Sequence, residues 1–245
     1  MARDSTLSDP LLLAIESATS WLSVAVLRGE TLLAEASPED TGPHAERILP
    51  RVDAVLEEAG CRVSDLDAFA VSIGPGSFTS LRVGLATVKG LAFGSSRPIV
   101  AVPTLEALAF GTLACGSALP RVPILDARRG EAYAAVFDVE GRQLAQRVAD
   151  GLFSPAELAV VLPERSLLVG EGAAVFGDEL RAVAGVEVPA SLGPEDLAPR
   201  AESVARLALL RLRAGEVAAP LLAPRYIRRA EAEATRTQLA VEDPA

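Results

Sequence analysis

The stretch Ile73-Gly-Pro-Gly-Ser-Phe-Thr-Ser80, followed by LRVGLATVKGLAFG, joins a buried strand to a helix that has almost no polar face. At about 100° per residue, Leu81, Leu85, Val88 and Ala92 share one side, and Val83, Ala86, Gly90 and Phe93 lie roughly opposite. Ser80, Gly84, Thr87 and Gly94 form a third flank of small residues. Only Arg82 and Lys89 are charged, and Lys89 is the sole lysine of the chain. A helix that is apolar nearly all round must be covered twice, by a large core or by its own sheet and a second subunit. We read it as the second case.

The rest of the chain divides into two similar halves. The first opens with an apolar strand, Leu11 to Ile15, and an alternating strand, Leu22 to Leu27. Arg28-Gly29-Glu30 then turns into a third strand, Thr31 to Ala36. After Pro43, apolar residues at Ala45, Ile48, Leu49, Val52, Val55, Leu56 and Ala59 follow the spacing of an amphipathic helix, which Gly60 ends. A strand from Ala68 to Ile73, the glycine loop and its helix, a strand from Pro98 to Val102 and a helix from about Thr104 to Leu113 complete this half. The second half reopens with strands Val122 to Leu125 and Glu131 to Phe137 and a hairpin at Glu140-Gly141. It closes with a strand Ser166 to Val169 and a helix Ala173 to Val183. A last helix, about Ala201 to Ala214, is apolar at Val204, Leu207, Ala208 and Leu212 and is expected to pack back on the first half.

Composition bounds what such a chain can do. A formal charge of −10 opposes autonomous binding of a polyanion, because affinity for nucleic acid comes largely from clustered Lys and Arg that neutralise phosphates. The one dense basic run, Arg225, Arg228 and Arg229, precedes Glu231 and Glu233 and reads as a solvated tail. No run approaches the ~20 apolar residues that cross a bilayer, and MARDSTLSDP has no export-signal pattern, so the expectation is a cytoplasmic protein with no membrane role. Cys61 and Cys115 are isolated thiols, expected to be packing residues.

GPGSFTSLRVGLATVKGLA, together with LLLAIESATSWLSVAVLRGE, HAERILPRVDAVLEEAG, ILDARRGEAYAAVF and APRYIRR, closely resembles the TsaB family. These are the non-catalytic partner subunits of the bacterial tRNA threonylcarbamoyladenosine machinery. The resemblance implies an α/β fold of two tandem actin-like, ribonuclease-H-like lobes (βββαβα units) with mixed sheets flanked by helices. The expected divisions are an N-terminal lobe over 1–103 that carries the partner-binding helices, a C-terminal lobe over 104–199, a returning helix over 200–222 and a tail over 223–245. It also implies a heterodimer with the catalytic paralogue TsaD through helices near 44 to 59 and 79 to 93. The expected interface residues are His44, Ile48, Arg51, Phe78, Thr79, Arg82, Val83, Ala86, Lys89, Gly90 and Phe93. TsaD would transfer threonylcarbamoyl from its adenylate to the adenosine 3′ of the anticodon, the ATPase TsaE would bind the assembly, and tRNA would be met only through the complex. Without TsaD, the same helices would drive self-association.

The residues that could carry chemistry point the same way. In active actin-like proteins the carboxylate after the opening strand organises a metal-bound water, and Glu16 holds that place. Its turn, Glu16-Ser-Ala-Thr-Ser-Trp21, has no glycine to let backbone amides cradle a phosphate. The matching turn, Asp126-Ala-Arg-Arg-Gly130, carries bulky arginines, and Gly170-Glu-Gly172 is a faint echo of an adenosine loop. Glu16, Gly170 and Gly172 are therefore weak nucleotide-site candidates. The expectation is no autonomously bound cofactor, with ATP or ADP and a divalent metal held by the partner subunits. His44 is the only histidine, so neither an HExxH motif nor the His-x-x-x-His pair of the catalytic relatives can exist: Ile48 stands four residues on. No catalytic residue and no metal ligand is assigned. Ser77 or Thr79 is expected to cap the glycine-loop helix, and Phe78 is either core or an interface anchor. The competing reading is an ATP-dependent small-molecule kinase of the same superfamily.

Overall fold

A computed structural model describes residues 9–36, 42–184, 198–217 and 222–228. The first sheet has five strands in the order β3-β2-β1-β4-β5: β1 Leu11–Glu16, β2 Ser23–Arg28, β3 Thr31–Ala36, β4 Ala68–Ser72 and β5 Ile99–Val102. β1 pairs antiparallel with β2 and parallel with β4, so the sheet is mixed. All residues of β1 and β4 are buried. That accounts for their continuous apolar runs, since a strand covered on both faces has no polar side to alternate. The second sheet repeats the plan with four strands in the order β8-β7-β6-β9: β6 Arg121–Asp126, β7 Ala132–Glu140, β8 Gln143–Phe153 and β9 Leu167–Val169. β6 again pairs antiparallel with the next strand and parallel with the crossover strand.

Helices cover both sheets. α1 (His44–Glu58) and α2 (Phe78–Ser95) lie on one face of the first sheet, packing Ile48, Val52, Val55, Leu85, Val88 and Ala92 against Leu13, Ile15, Phe69 and Val71. α3 (Thr104–Gly111) sits between the sheets. Its Ala107 packs with the first sheet, and Leu105, Leu108 and Ala109 pack with Leu125, Ala135 and Val169 of the second. α4 (Pro155–Val161) and α5 (Gly172–Ala184) cover the far face of the second sheet. α6 (Ala201–Arg213) returns to the first sheet, as its apolar spacing predicts, burying Ala201, Val204, Ala205, Leu207 and Ala208 against Leu12, Ala14, Ala25 and Ala70. Buried Glu35 accepts from Arg200 and from the Glu202 amide at the start of this helix, and Arg211 pairs with Glu106 of α3 at 2.5 Å.

Three features depart from the sequence reading. α4 was not expected, although Ser154-Pro-Ala-Glu157 carries its signature: Ser154 Oγ accepts from the Glu157 amide, the Glu157 carboxylate accepts from the Ser154 amide, and Pro155 takes the first helical position. The helix after Pro103 gives way at Gly111 to a short 3₁₀ turn, Thr112–Cys115. Cys115 is exposed rather than a packing residue, while Cys61 is partly buried.

The 3₁₀ turn is held by Arg121, which is fully buried at the start of β6 and bonds no carboxylate among the described residues. Its Nε donates to Thr112 Oγ1 at 3.1 Å, and its terminal nitrogens donate to the carbonyls of Ser117 at 2.8 Å, Thr112 at 3.5 Å and Leu119. Burial pushes its pKa down from the usual arginine range. Truncation would leave these carbonyls unpaired in the interior. Arg121→Ala is expected to lower unfolding stability by about 3 kcal/mol; chemical denaturation checks this, and a loss below about 1 kcal/mol contradicts it.

Candidate functional site

The glycine loop fixes where α2 begins. Gly74 has φ +111°, a region that favours glycine, and exchanges bonds with Thr104: its amide donates to Oγ1 at 3.1 Å and its carbonyl accepts from the Thr104 amide at 2.9 Å. The Ser77 amide donates to Ala18 O at 2.7 Å. A side chain at position 76 would lie 2.2 Å from that same oxygen. Ser77 is the N-cap, its Oγ accepting from the Ser80 amide at 3.4 Å, so the cap falls to Ser77 and not to Thr79. One turn on, a side chain at Gly84 would meet Ser17 Oγ at 2.1 Å. Gly84 is therefore buried against the first turn and is not part of an outward flank.

α2 buries Leu81, Leu85, Val88 and Ala92, the side that the periodicity assigns to the core. Thr79, Arg82, Ala86, Lys89, Gly90 and Phe93 are exposed, and Phe78 and Val83 are half-buried. Phe93 is 90% exposed, and Leu49 on neighbouring α1 is 52% exposed. Both helices lie on the same face of the first sheet, so these residues form an outward surface. Gly90 and Gly94 lie inside α2 with nothing within 4 Å of the position a Cβ would take. No contact among the described residues requires either glycine, although each costs a helix about 1 kcal/mol relative to alanine.

Two expected interface residues belong to the interior instead. Ile48 is 2% exposed and lies in the core, because it shares the phase of Val52 and Val55 on α1. His44 is buried at the start of α1, where its Nε2–H donates to Thr19 O at 2.9 Å and ties the helix to the first turn. Burial holds its pKa below the usual histidine range. Arg51 is half-buried.

The expected nucleotide positions lie in closely packed parts of the chain. Glu16 is fully buried; its Oε1 accepts from the Ala18 amide at 2.6 Å, while Oε2 has no partner. Burial pushes its pKa up to about 7 against the pull of the Ala18 amide. At Gly170 and Gly172 a Cβ would meet Ile124 O at 2.5 and 2.9 Å, so both glycines serve close packing on β6. The Asp126–Gly130 turn is locally bonded, with the Arg128 amide donating to Asp126 Oδ1 at 2.8 Å. Arg128 and Arg129 sit there at φ +64° and +60°, strained values for residues other than glycine. Among the described residues no cluster of His, Cys, Asp and Glu could hold a metal ion.

Arg225 and Arg228 of the basic run are not a solvated tail. Arg225 donates through its amide to Ile73 O at 2.6 Å and through its side chain to buried Asp150 at 2.9 Å. Arg228 donates to Ala127 O at 2.7 Å and pairs with Glu131. Residues 222–228 thus bridge the two lobes. Arg229, Glu231, Glu233 and the tail Val241–Ala245 lie outside the described residues.

A duplicated βββαβα unit with a helical face left uncovered on its first lobe defines a two-lobed α/β protein of the actin-like class. The profile of the family described as TsaD, tRNA N6-adenosine threonylcarbamoyltransferase, matches residues 36–235. The chain is 36% identical over 153 residues to the tRNA threonylcarbamoyladenosine biosynthesis protein TsaB of Escherichia coli, covering 62% of each chain. It is 33% identical over 154 residues to TsaB of Bacillus subtilis, covering 63% of this chain and 66% of that one. It therefore spans somewhat under two thirds of the length of these relatives. A Pseudomonas aeruginosa structure described as similar to peptidase YeaZ superposes with a TM-score of 0.79 at 30% identity, covering 89% of this chain and all of that one. The chain belongs to the TsaB family within this group.

The buried Glu16 gives a pH test. A carboxyl whose folded pKa is raised binds more protons folded than unfolded, so its contribution to stability falls as pH rises from about 4.5 to about 7. His44, lowered on folding, acts in the opposite sense below its ordinary range and cancels in a comparison of variants. Glu16→Gln is expected to gain on the parent chain by roughly 1–3 kcal/mol between pH 5 and pH 8. Thermal melts across that range check it, and a constant difference contradicts it.

Proposed function

We propose that this chain is the non-catalytic partner subunit of a tRNA threonylcarbamoyladenosine-forming complex, and that the outward face of α1 and α2 binds the TsaD paralogue. TsaD carries out threonylcarbamoyl transfer, TsaE joins the assembly, and tRNA is contacted only through the complex. The protein works in the cytoplasm and binds no cofactor by itself; nucleotide and divalent metal belong to the partner subunits.

The observation that carries this reading is the unexplained pair Gly90 and Gly94. Two glycines one turn apart in a helix, each facing open space and following exposed Ala86, suit the close approach of a second helix. Phe93, 90% exposed beside them, is the kind of aromatic residue that anchors an interface. Membership of the TsaB family is the reason for proposing TsaD as that second subunit. An autonomous kinase gains no support from Gly170 and Gly172, whose packing on Ile124 accounts for both glycines without a nucleotide.

Gly90→Ala separates the two roles of this position. It is expected to raise the stability of the free chain by roughly 0.5–1 kcal/mol, because alanine is the better helix former. It is also expected to weaken the complex with TsaD by about 1–3 kcal/mol through overpacking of the helix contact. Melting of the free chain and calorimetric titration with TsaD measure both. A variant that is more stable and binds TsaD undiminished removes this face from the interface. Ala86→Arg should abolish binding and leave the fold intact.

A further inference from the structure

The bridging segment 222–228 builds a small structure at the first turn of α2. The Tyr226 ring stacks on Phe78 with centroids 4.8 Å apart and planes inclined by 29°. The Arg82 guanidinium lies over Phe78, its central carbon 3.7 Å from the ring centroid, and its Nε donates to Tyr226 Oη at 2.7 Å. Tyr226 is held from both lobes: Arg225 on one side of it bonds Ile73 O and Asp150, and Arg228 bonds Ala127 O and pairs with Glu131. The Asp150 carboxylate is 1% exposed, while the Arg225 side chain that reaches it is 44% exposed.

The arrangement fixes a cation without neutralising it. Arg82 is exposed, and no carboxylate among the described residues lies within ion-pair distance of it. The sequence of α2, FTSLRVGLATVKGLAFGS, contains no acidic residue. The guanidinium lies against the aromatic stack and the phenol takes Nε, which leaves the two terminal nitrogens without a hydrogen-bond partner among the described residues. Bidentate donation by a guanidinium to a carboxylate is geometrically specific. A group already held in its bound pose loses little freedom on binding. Arg82 lies four residues before Ala86 and seven before Lys89, so the fixed cation is continuous with the exposed face of α2.

We propose that Phe78, Arg82 and Tyr226 form a preorganised carboxylate-binding corner of the partner face, in which the terminal N–H groups of Arg82 donate to an acidic side chain of the partner subunit. This rests on the partner reading above. Arg225 and Arg228 are positioning residues, which act by holding Tyr226.

The test titrates the full-length chain and the variants Arg82→Lys, Tyr226→Phe and Arg225→Ala with the TsaD subunit of the same organism, at low and high salt, alongside their melting temperatures. Arg82→Lys keeps the charge and loses the planar fork. It is expected to weaken binding about tenfold to a hundredfold with unchanged melting. Tyr226→Phe and Arg225→Ala are expected to weaken binding by about threefold to tenfold. If the parent chain binds TsaD and Arg82→Lys binds within twofold of it, the corner is overturned while the partner reading stands. If Arg82→Lys loses affinity only when tRNA or nucleotide is present, the anion is a phosphate and the carboxylate assignment is wrong. If the parent chain itself does not bind TsaD, the partner reading fails and this inference falls with it.

Discussion

The contact between the glycine loop and the first turn sets the position of everything on the first lobe. Ala18 O takes the Ser77 amide at 2.7 Å, and the loop reaches it only because a side chain at Gly76 would stand 2.2 Å from that oxygen. Gly84 repeats the constraint in the second turn of α2, against Ser17. His44 ties the start of α1 to the same turn through Thr19 O. A turn that in other actin-like proteins could approach a phosphate here carries two helices, and its carboxylate, Glu16, is buried beneath them.

That arrangement explains why the outward surface is a pair of helices and not a cleft. α2 is covered by the sheet on one side only, and its residues on the opposite side are small or apolar in a helix with two cations and no acid. The two lobes are tied to each other by α3, which lies between the sheets, and by the bridging segment with Arg225 and Arg228.

Much of the fold was legible in local pattern. The continuous apolar runs of β1 and β4 gave the right strands, the spacing of Val204, Leu207 and Ala208 gave the right helix and face, and the periodicity of α1 gave the right helix, although Ala45 and Leu49 on it are exposed. Ile48 could have been assigned to the core from the same phase, since it lies four residues before Val52. The capping residues Ser154 and Glu157 marked α4 plainly. The glycines were harder, because a close approach to Ser17, Ala18 or Ile124 is a tertiary fact that no spacing encodes. The basic run was misread for a related reason: Asp150 and Glu131, which take Arg225 and Arg228, lie 75 and 97 residues away in sequence.

The central claim is that the α1–α2 face exists to be covered by a paralogous subunit. Size-exclusion chromatography with light scattering on this chain, on TsaD from the same organism and on their mixture tests it most directly. The account predicts a new species of one-to-one mass in the mixture. Independent elution of the two proteins across salt and nucleotide conditions would contradict it.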